Sequence, residues 1–450
     1  MVDRDLRTLD HWRDKLGGLP RTIECRAMSL AGRDHEPDVF TGPGRIEIRS
    51  ASEIRFYMYA TTTDAAVAFR KLQSSERNRY DTLEQFRLTA VDYSGNSWAG
   101  GYTQVDFFTD YKSGWPLTGV LNGLSTLATG PWVSKSSSIE LLLIPPVRLP
   151  TSEWMVSTTT FSEQEILYAR SPGRQTVNTL GTTIHFEYEP SGEALWITAN
   201  TSDALSHPYG ENWLTEPLRT MLGSLIYPRM VARNMGNGTA HVWLRRTPDY
   251  GRRSMLGLMP PFGMGAGHSE AFWDLYTKLL TLVGSARDDE GHPNFDPHEI
   301  TRFYQELAES QHGSHWVMLL TLASTAEALA KGLMTEADRK PTYSDAEIAS
   351  MREHMGKWIG PKTLCDRMKS SLDFATKQSV SGFLRNLAGK DQVRKEEIKT
   401  WTKLRNSVMH GGLIEPWSTE QGDKHLHELI SLVHGLTLRL VEKTLKADNS

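Results

Sequence analysis

The strongest constraint on this chain is a change of hydrophobic period near residue 255. Before that point apolar residues recur at every second position in short runs; after it they recur at every third or fourth position. A period of two places alternate side chains on one face of a strand. A period near 3.6 places them on one stripe of a helix. One chain of 450 residues must therefore build two kinds of architecture, and its length suits two or three domains.

The first part reads as antiparallel β structure. Ile46 and Ile48 share a face, then Ile54, Phe56 and Met58, then Phe86, Leu88 and Ala90, then Val105 and Phe107. Ile184, Phe186 and Tyr188 alternate likewise and turn at Pro190-Ser191-Gly192 into Leu195 and Ile197, and His241–Leu244 reads as a last strand. Many short strands with Gly, Pro and Ser turns predict a sandwich or barrel. One amphipathic helix interrupts them, with Trp213, Leu214, Leu218, Met221, Leu222 and Leu225 at helical spacing. The prolines from Pro145 to Pro150 predict a break into two subdomains within residues 1–255.

Residues 256–268, rich in Gly, Pro and Met, read as a linker. The rest, 269–450, reads as helices: one capped by Ser269, one started by Asp296-Pro297, one over Trp316–Met334, and others near 344–357, 362–376, 392–409 and 422–446. Helices of this number and length predict a bundle. The expected fold class is a multidomain α+β protein, β-rich first and all-α second.

Composition narrows the chemistry. Fifty basic residues against 54 acidic ones give a net charge of −4, so any nucleic-acid contact needs a local basic patch. Two cysteines, Cys25 and Cys365, cannot build a disulfide framework, and a cysteine-based zinc site is not expected. Met1–Leu16 is highly charged and lacks the apolar core of a secretory signal. Apolar runs such as Leu141–Val147 are too short to cross a bilayer. The expectation is a cytoplasmic protein with no membrane partner.

Two charged residues break the helical pattern. Arg405 follows Trp401 by four and precedes Val408 by three, which puts it inside an apolar stripe. Glu327 sits among Leu320, Ala323, Ala330 and Met334 in the other long helix. A charge facing a core is costly unless paired, and a carboxylate can fix the orientation of a guanidinium. The economical solution is that Glu327 holds Arg405. His410 lies just before Gly411-Gly412, which should end the helix, and Asn406 is one turn before His410. A histidine titrating near neutrality can move protons, and an arginine beside it can hold a phosphate. From Arg385 to Arg405 there are seven basic residues and three acidic ones, a local surplus of four.

Arg405-Asn406-x-x-x-His410 late in a bundle helix resembles the Arg-x4–6-His motif of HEPN ribonucleases. The helix around Glu327 resembles the acidic helix of that domain. The likeness spans about residues 295–446. A long β-rich region before such a domain is similar in layout to ApeA-type abortive-infection proteins of bacteria. The resemblance implies a homodimer through the HEPN domain, an RNA substrate such as tRNA, and no cofactor or metal. It implies catalytic roles for Arg405, His410, Asn406 and Glu327, and 2′,3′-cyclic phosphate and 5′-hydroxyl products. It further implies anti-phage defence, with the first region sensing a phage-derived trigger. Some HEPN toxins carry a modifiable tyrosine two residues after the histidine; Gly412 stands here, which argues against that control.

Two other readings stay open: a non-catalytic HEPN module that binds RNA or protein, and a ligand sensor acting through a partner. The plain alternative for Arg405 and His410 is an interhelical ion pair and a capping histidine. His425, His427 and His434 lack a carboxylate or cysteine at metal-ligand spacing and read as ordinary histidines. Gly263–Gly267 mimics a phosphate loop but lacks its lysine and a preceding strand. Trp98, Tyr102, Trp115, Trp132 and Trp154 read as packing residues.

Overall fold

In the computed structural model an antiparallel β region is followed by a helical region, an α+β arrangement as the change of period predicts. The structure describes residues 7–448 apart from 17–18, 33–35, 79, 108–114, 162–163, 248–254, 260–265, 295–296, 339–342, 376–378 and 410–418.

The strands are β1 (Arg21–Ala31), β2 (Asp38–Ile48), β3 (Ile54–Ala60), β4 (Phe86–Asp92), β5 (Ser97–Thr103), β6 (Asp106–Phe107), β7 (Trp115–Val120), β8 (Gly123–Thr129), β9 (Ser137–Leu143), β10 (Trp154–Phe161), β11 (Gln164–Pro172), β12 (Arg174–Thr179), β13 (Thr182–Tyr188), β14 (Leu195–Asn200), β15 (Met230–Met235) and β16 (Thr239–Arg245). Among them lie α1 (Thr8–Leu16), α2 (Ala65–Arg77), α3 (Gly210–Trp213) and α4 (Glu216–Leu222). After them come α5 (Ala266–Ser285), α6 (Glu299–Ser310), α7 (His315–Leu333), α8 (Asp345–Gly356), α9 (Lys362–Ala375), α10 (Val380–Gly389), α11 (Lys395–Met409) and α12 (Glu420–Asp448).

The residues fall into two compact units. The first takes Met1–Leu218, Leu225–Arg252 and Phe262–Asp296; the second takes Arg219–Ser224, Arg253–Pro261 and Pro297–Ser450.

One antiparallel sheet runs through the first unit in the order β12-β13-β14-β9-β15-β16-β8-β5-β4-β1-β2-β3-β7-β6. Its β5-to-β6 half curls until the ladder closes. Thr103 ends β5, Asp106 begins β6, and β6 pairs with β7 at Asp106↔Thr118. The Thr103 hydroxyl donates to the Val120 carbonyl across that seam at 2.9 Å. The other half joins it at a single residue pair, Ala99↔Ser125.

The core explains the alternation. Met28, Leu30, Phe40, Ile46, Phe56, Leu88, Trp98, Leu142, Trp196, Met230, Val242 and Leu244 share one continuous apolar cluster. That cluster draws on both sides of position 150. β9 ends at Leu143 and the chain turns at Pro145-Pro146, but β9 itself pairs with β14 and β15. The expected break is therefore the end of a central strand and not a boundary between subdomains.

α1 is a helix that the charged start of the chain conceals. Leu9, Trp12 and Leu16 are buried in the cluster. Its first turn sits on the buried carboxylate of Glu140 in β9, which accepts the backbone N–H groups of Thr8 and Leu9 at 3.0 and 2.9 Å and the Asn234 amide at 2.8 Å. Anions are favoured at helix N-termini, where N–H groups have no intrahelical partner. Burial pushes the Glu140 carboxyl up from its ordinary value, and the N–H donors oppose that rise. Arg13 pairs with Glu189 and Arg7 with Glu187, fixing the helix to the sheet at two further points.

The opposite face of β9, β14 and β13 buries Leu141, Ile197 and Phe186. Phe186 meets Trp273 and Tyr276 of α5 at ring distances of 4.7 and 5.3 Å, and the Tyr276 hydroxyl donates to the Leu214 carbonyl at 3.0 Å. α5 thus belongs to the sheet's unit, where sequence periodicity had placed it with the later helices. The single helix expected around Trp213–Leu225 is two short ones, α3 and α4.

The second unit is helical. Its core gathers Ile300, Tyr304 and Leu307 of α6, Leu322 and Leu329 of α7, Leu384 of α10, Trp401 of α11, and Leu429, Val433 and Leu436 of α12. Residues 219–224 join it because Leu258 and Met259 donate to the Thr220 and Met221 carbonyls at 3.2 and 3.0 Å. Gly223, at φ +61°, lies so close to Gly257 that a Cβ there would stand 2.4 Å from the Gly257 nitrogen. α6 starts two residues later than Asp296-Pro297 suggests, because the His298 imidazole caps it by accepting from Ile300 N–H at 3.2 Å. Asp296 itself lies outside the described residues. Among the described residues no helix is long and apolar enough to cross a membrane.

Replacing Glu140 with alanine leaves the first-turn amides of α1 and the Asn234 amide without their acceptor inside the protein. The expected loss is on the order of 3 kcal/mol in unfolding free energy, read from a urea midpoint at neutral pH. An unchanged midpoint contradicts the role given to this carboxylate.

Candidate functional site

The site forms where α7 and α11 meet. α7 begins at Ser314, whose hydroxyl accepts from Val317 N–H, and it buries Leu319, Leu322, Ala323, Ala326, Leu329 and Ala330. α11 buries Glu397, Ile398, Thr400, Trp401 and Leu404. The Trp401 indole N–H donates to the Ala323 carbonyl at 3.0 Å. One turn further along each helix, Arg405 Nε donates to Glu327 Oε2 at 2.6 Å. Sequence reasoning paired these two residues, and the structure brings them together.

Their setting differs from the expectation in one respect. Both side chains lie on the rim of the apolar seam and not at its centre, with 36% of the Arg405 side chain and 22% of the Glu327 side chain exposed. α7 is apolar almost all round, so its hydrophobic period cannot say which face is innermost. The buried face centres on Leu322, Ala326 and Leu329. Leu320, assigned to the stripe by sequence, is only half-buried.

The rim position matters chemically. Glu327 engages the guanidinium through Nε alone, and the Arg405 carbon stands 5.7 Å from the centre of the Trp401 ring. The terminal amino groups of Arg405 have no partner among the described residues. That is a donor fork held from behind by a carboxylate and from the side by an indole, suited to an oxyanion. The second Glu327 oxygen accepts from Lys331 Nζ at 3.0 Å. The hydrogen bond from Arg405, more than Lys331, holds the Glu327 carboxyl below its ordinary 4.5 despite partial burial. Lys331 escaped sequence reasoning, although its spacing of four from Glu327 was a usable signal.

Asn406 is exposed beside Arg405. His410, with Gly411 and Gly412, lies outside the described residues, as does most of the Gly263–Gly267 stretch. The other singled-out histidines have local partners. His427 Nδ1 is 2.7 Å from the Asp423 carbonyl. His434 Nε2 is 3.1 Å from the Leu256 carbonyl, its ring faces Tyr304, and burial lowers its pKa. His425 is also lowered, by burial first and then by Lys403. Among the described residues no three His, Cys, Asp or Glu side chains gather as a metal site would require.

Set against protein-family models, curated proteins and solved structures, the chain matches none of them.

The Glu327 shift has a thermodynamic consequence. A carboxyl with a depressed folded-state pKa adds stability above its unfolded pKa and loses it as pH falls through the folded value. Glu327→Gln therefore lowers the unfolding midpoint at neutral pH, and the gap to wild type closes as pH falls below 4.5. Denaturant melts across that range check it; a gap independent of pH contradicts the ion pair.

Proposed function

We propose that this protein is a metal-independent endoribonuclease of the HEPN type. It cuts host RNA, tRNA foremost, in abortive-infection defence, acting in the cytoplasm as a homodimer through its helical domain. The observation that carries this reading is the Arg405 guanidinium, held by Nε on Glu327 with no partner for its terminal amino groups among the described residues, five positions before His410.

The side chains supply the chemistry themselves. His410 takes the proton of a ribose 2′-hydroxyl, whose oxygen attacks the adjacent phosphorus. The bond from phosphorus to the 5′-oxygen breaks, and that oxygen accepts a proton, leaving a 2′,3′-cyclic phosphate and a 5′-hydroxyl. Arg405 carries the charge that grows on the phosphoryl oxygens. Asn406 positions the phosphate or the imidazole. Glu327 acts through Arg405 by fixing its plane, which makes it a positioning residue. The β-rich unit senses a phage-derived trigger and restrains the helical one.

The test uses total bacterial RNA in EDTA with purified wild type, His410→Ala and Arg405→Ala, followed by mapping of the new ends. Wild type should leave cyclic-phosphate ends, and either substitution should slow cleavage by about a hundredfold or more. A folded wild-type dimer that binds RNA without cutting it turns the reading into that of a binding module.

A further inference from the structure

The solvent face of α11 carries a row that neither packing nor the Arg405–Glu327 pair uses. Lys395, Lys399 and Lys403 are exposed and recur at every fourth residue. Four residues advance a helix by about 6 Å and about 40° past a full turn, so the three positions climb about 12 Å along the helix while turning about 80° round it. None of the three has an ion-pair or hydrogen-bond partner among the described residues. Other lysines of the same unit are tied down: Lys331 to Glu327, Lys357 to Glu353, and Lys443 to the Gly332 and Leu333 carbonyls. Of the two carboxylates of α11, Glu397 is buried and bound by Arg394 at 2.7 Å, which leaves Glu396 alone against three cations. The exposed Asn406 lies on the same side of the helix as the row, whereas Arg405 lies about 160° round the helix from Lys403.

We propose that this face is a rail for the backbone of single-stranded RNA, in which Lys395, Lys399 and Lys403 neutralise successive phosphates. That the strand held there is the one cut rests on the nuclease reading above; the binding rests on charge and spacing alone. The step between amines is comparable to the phosphate repeat of an extended strand. A single line of point charges follows one backbone and reads no base edges, so binding along it is indifferent to sequence. The chemistry asks for the same substrate class, because attack by the 2′-oxygen in line with the departing 5′-oxygen needs a nucleotide free to rotate out of A-form geometry.

The experiment measures binding of a fluorescein-labelled oligouridylate to the full chain across a potassium chloride series. The triple variant Lys395→Gln, Lys399→Gln, Lys403→Gln should reduce the slope of log affinity against log salt by about 2, at about 0.7 for each phosphate contact on a single strand. A control triple, Lys357→Gln, Lys362→Gln, Lys369→Gln, removes equal charge from the α8–α9 pair and should keep the wild-type slope. Circular dichroism confirms that both triples fold. An unchanged slope in the rail triple, an equal loss in the control, or no salt-dependent binding by wild type each overturns the rail. Wild type that binds steeply without cutting, with the slope lost only in the rail triple, leaves the rail standing and removes the nuclease reading. Cyclic-phosphate cleavage with KM and slope unaffected in the rail triple removes the rail and leaves the nuclease.

Discussion

A guanidinium at the edge of a helix bundle is tolerated only where something answers its charge, and here the answer is a single carboxylate one helix away. Trp401 fills the seam between α7 and α11 and donates to the Ala323 carbonyl, which sets the two helices against each other. One turn on, that contact brings Glu327 to Arg405 Nε. Because the pair uses Nε and one carboxylate oxygen, the terminal amino groups of the guanidinium have no partner among the described residues while its Nε is held. A fully buried pair would have been inert, and a fully exposed one would have been too loose to orient anything.

The β-rich unit solves a related problem with a different carboxylate. Glu140 lies in the middle of the sheet, between β14 and β15, and is buried. It remains there because the first turn of α1 presents unpaired N–H groups to it and Asn234 supplies a side-chain amide. The start of the chain is thereby bonded to the centre of the sheet, and Trp12 of the same helix lies edge-on to Trp98 at 5.5 Å and to Trp132 at 5.9 Å. The numerous tryptophans of this unit are in part explained by that packing.

The legible features were those in which residue chemistry conflicts with local pattern. Arg405 and Glu327 could be paired from sequence because both interrupt apolar stripes. The strands around Ile46, Phe56, Leu88 and Phe186 were legible because alternate positions of each face a core, that of Phe186 lying against α5. Three helices were not: α1 carries few apolar residues, α2 gathers its apolar residues in its first half, and α10 is short, so their helicity comes from Trp12, Leu72 and Leu384 finding the core. Periodicity also could not say which core a helix joins, which is why α5 was assigned to the wrong unit. Nor could it rank the faces of α7, an apolar helix packed among several others. Strand order was out of reach because β9 pairs with strands that follow it in sequence by more than fifty residues.

On the proposed nuclease reading, Glu327 contributes to RNA cleavage only by holding Arg405. The most direct measurement is a double-mutant cycle on kcat/KM for cleavage, with Glu327→Gln, Arg405→Ala and the two combined. If Glu327 works through Arg405, the glutamine substitution lowers the rate in the wild-type background and has almost no further effect once the arginine is gone. Equal losses in both backgrounds would contradict the account, because the carboxylate would then be acting on something other than the guanidinium it touches.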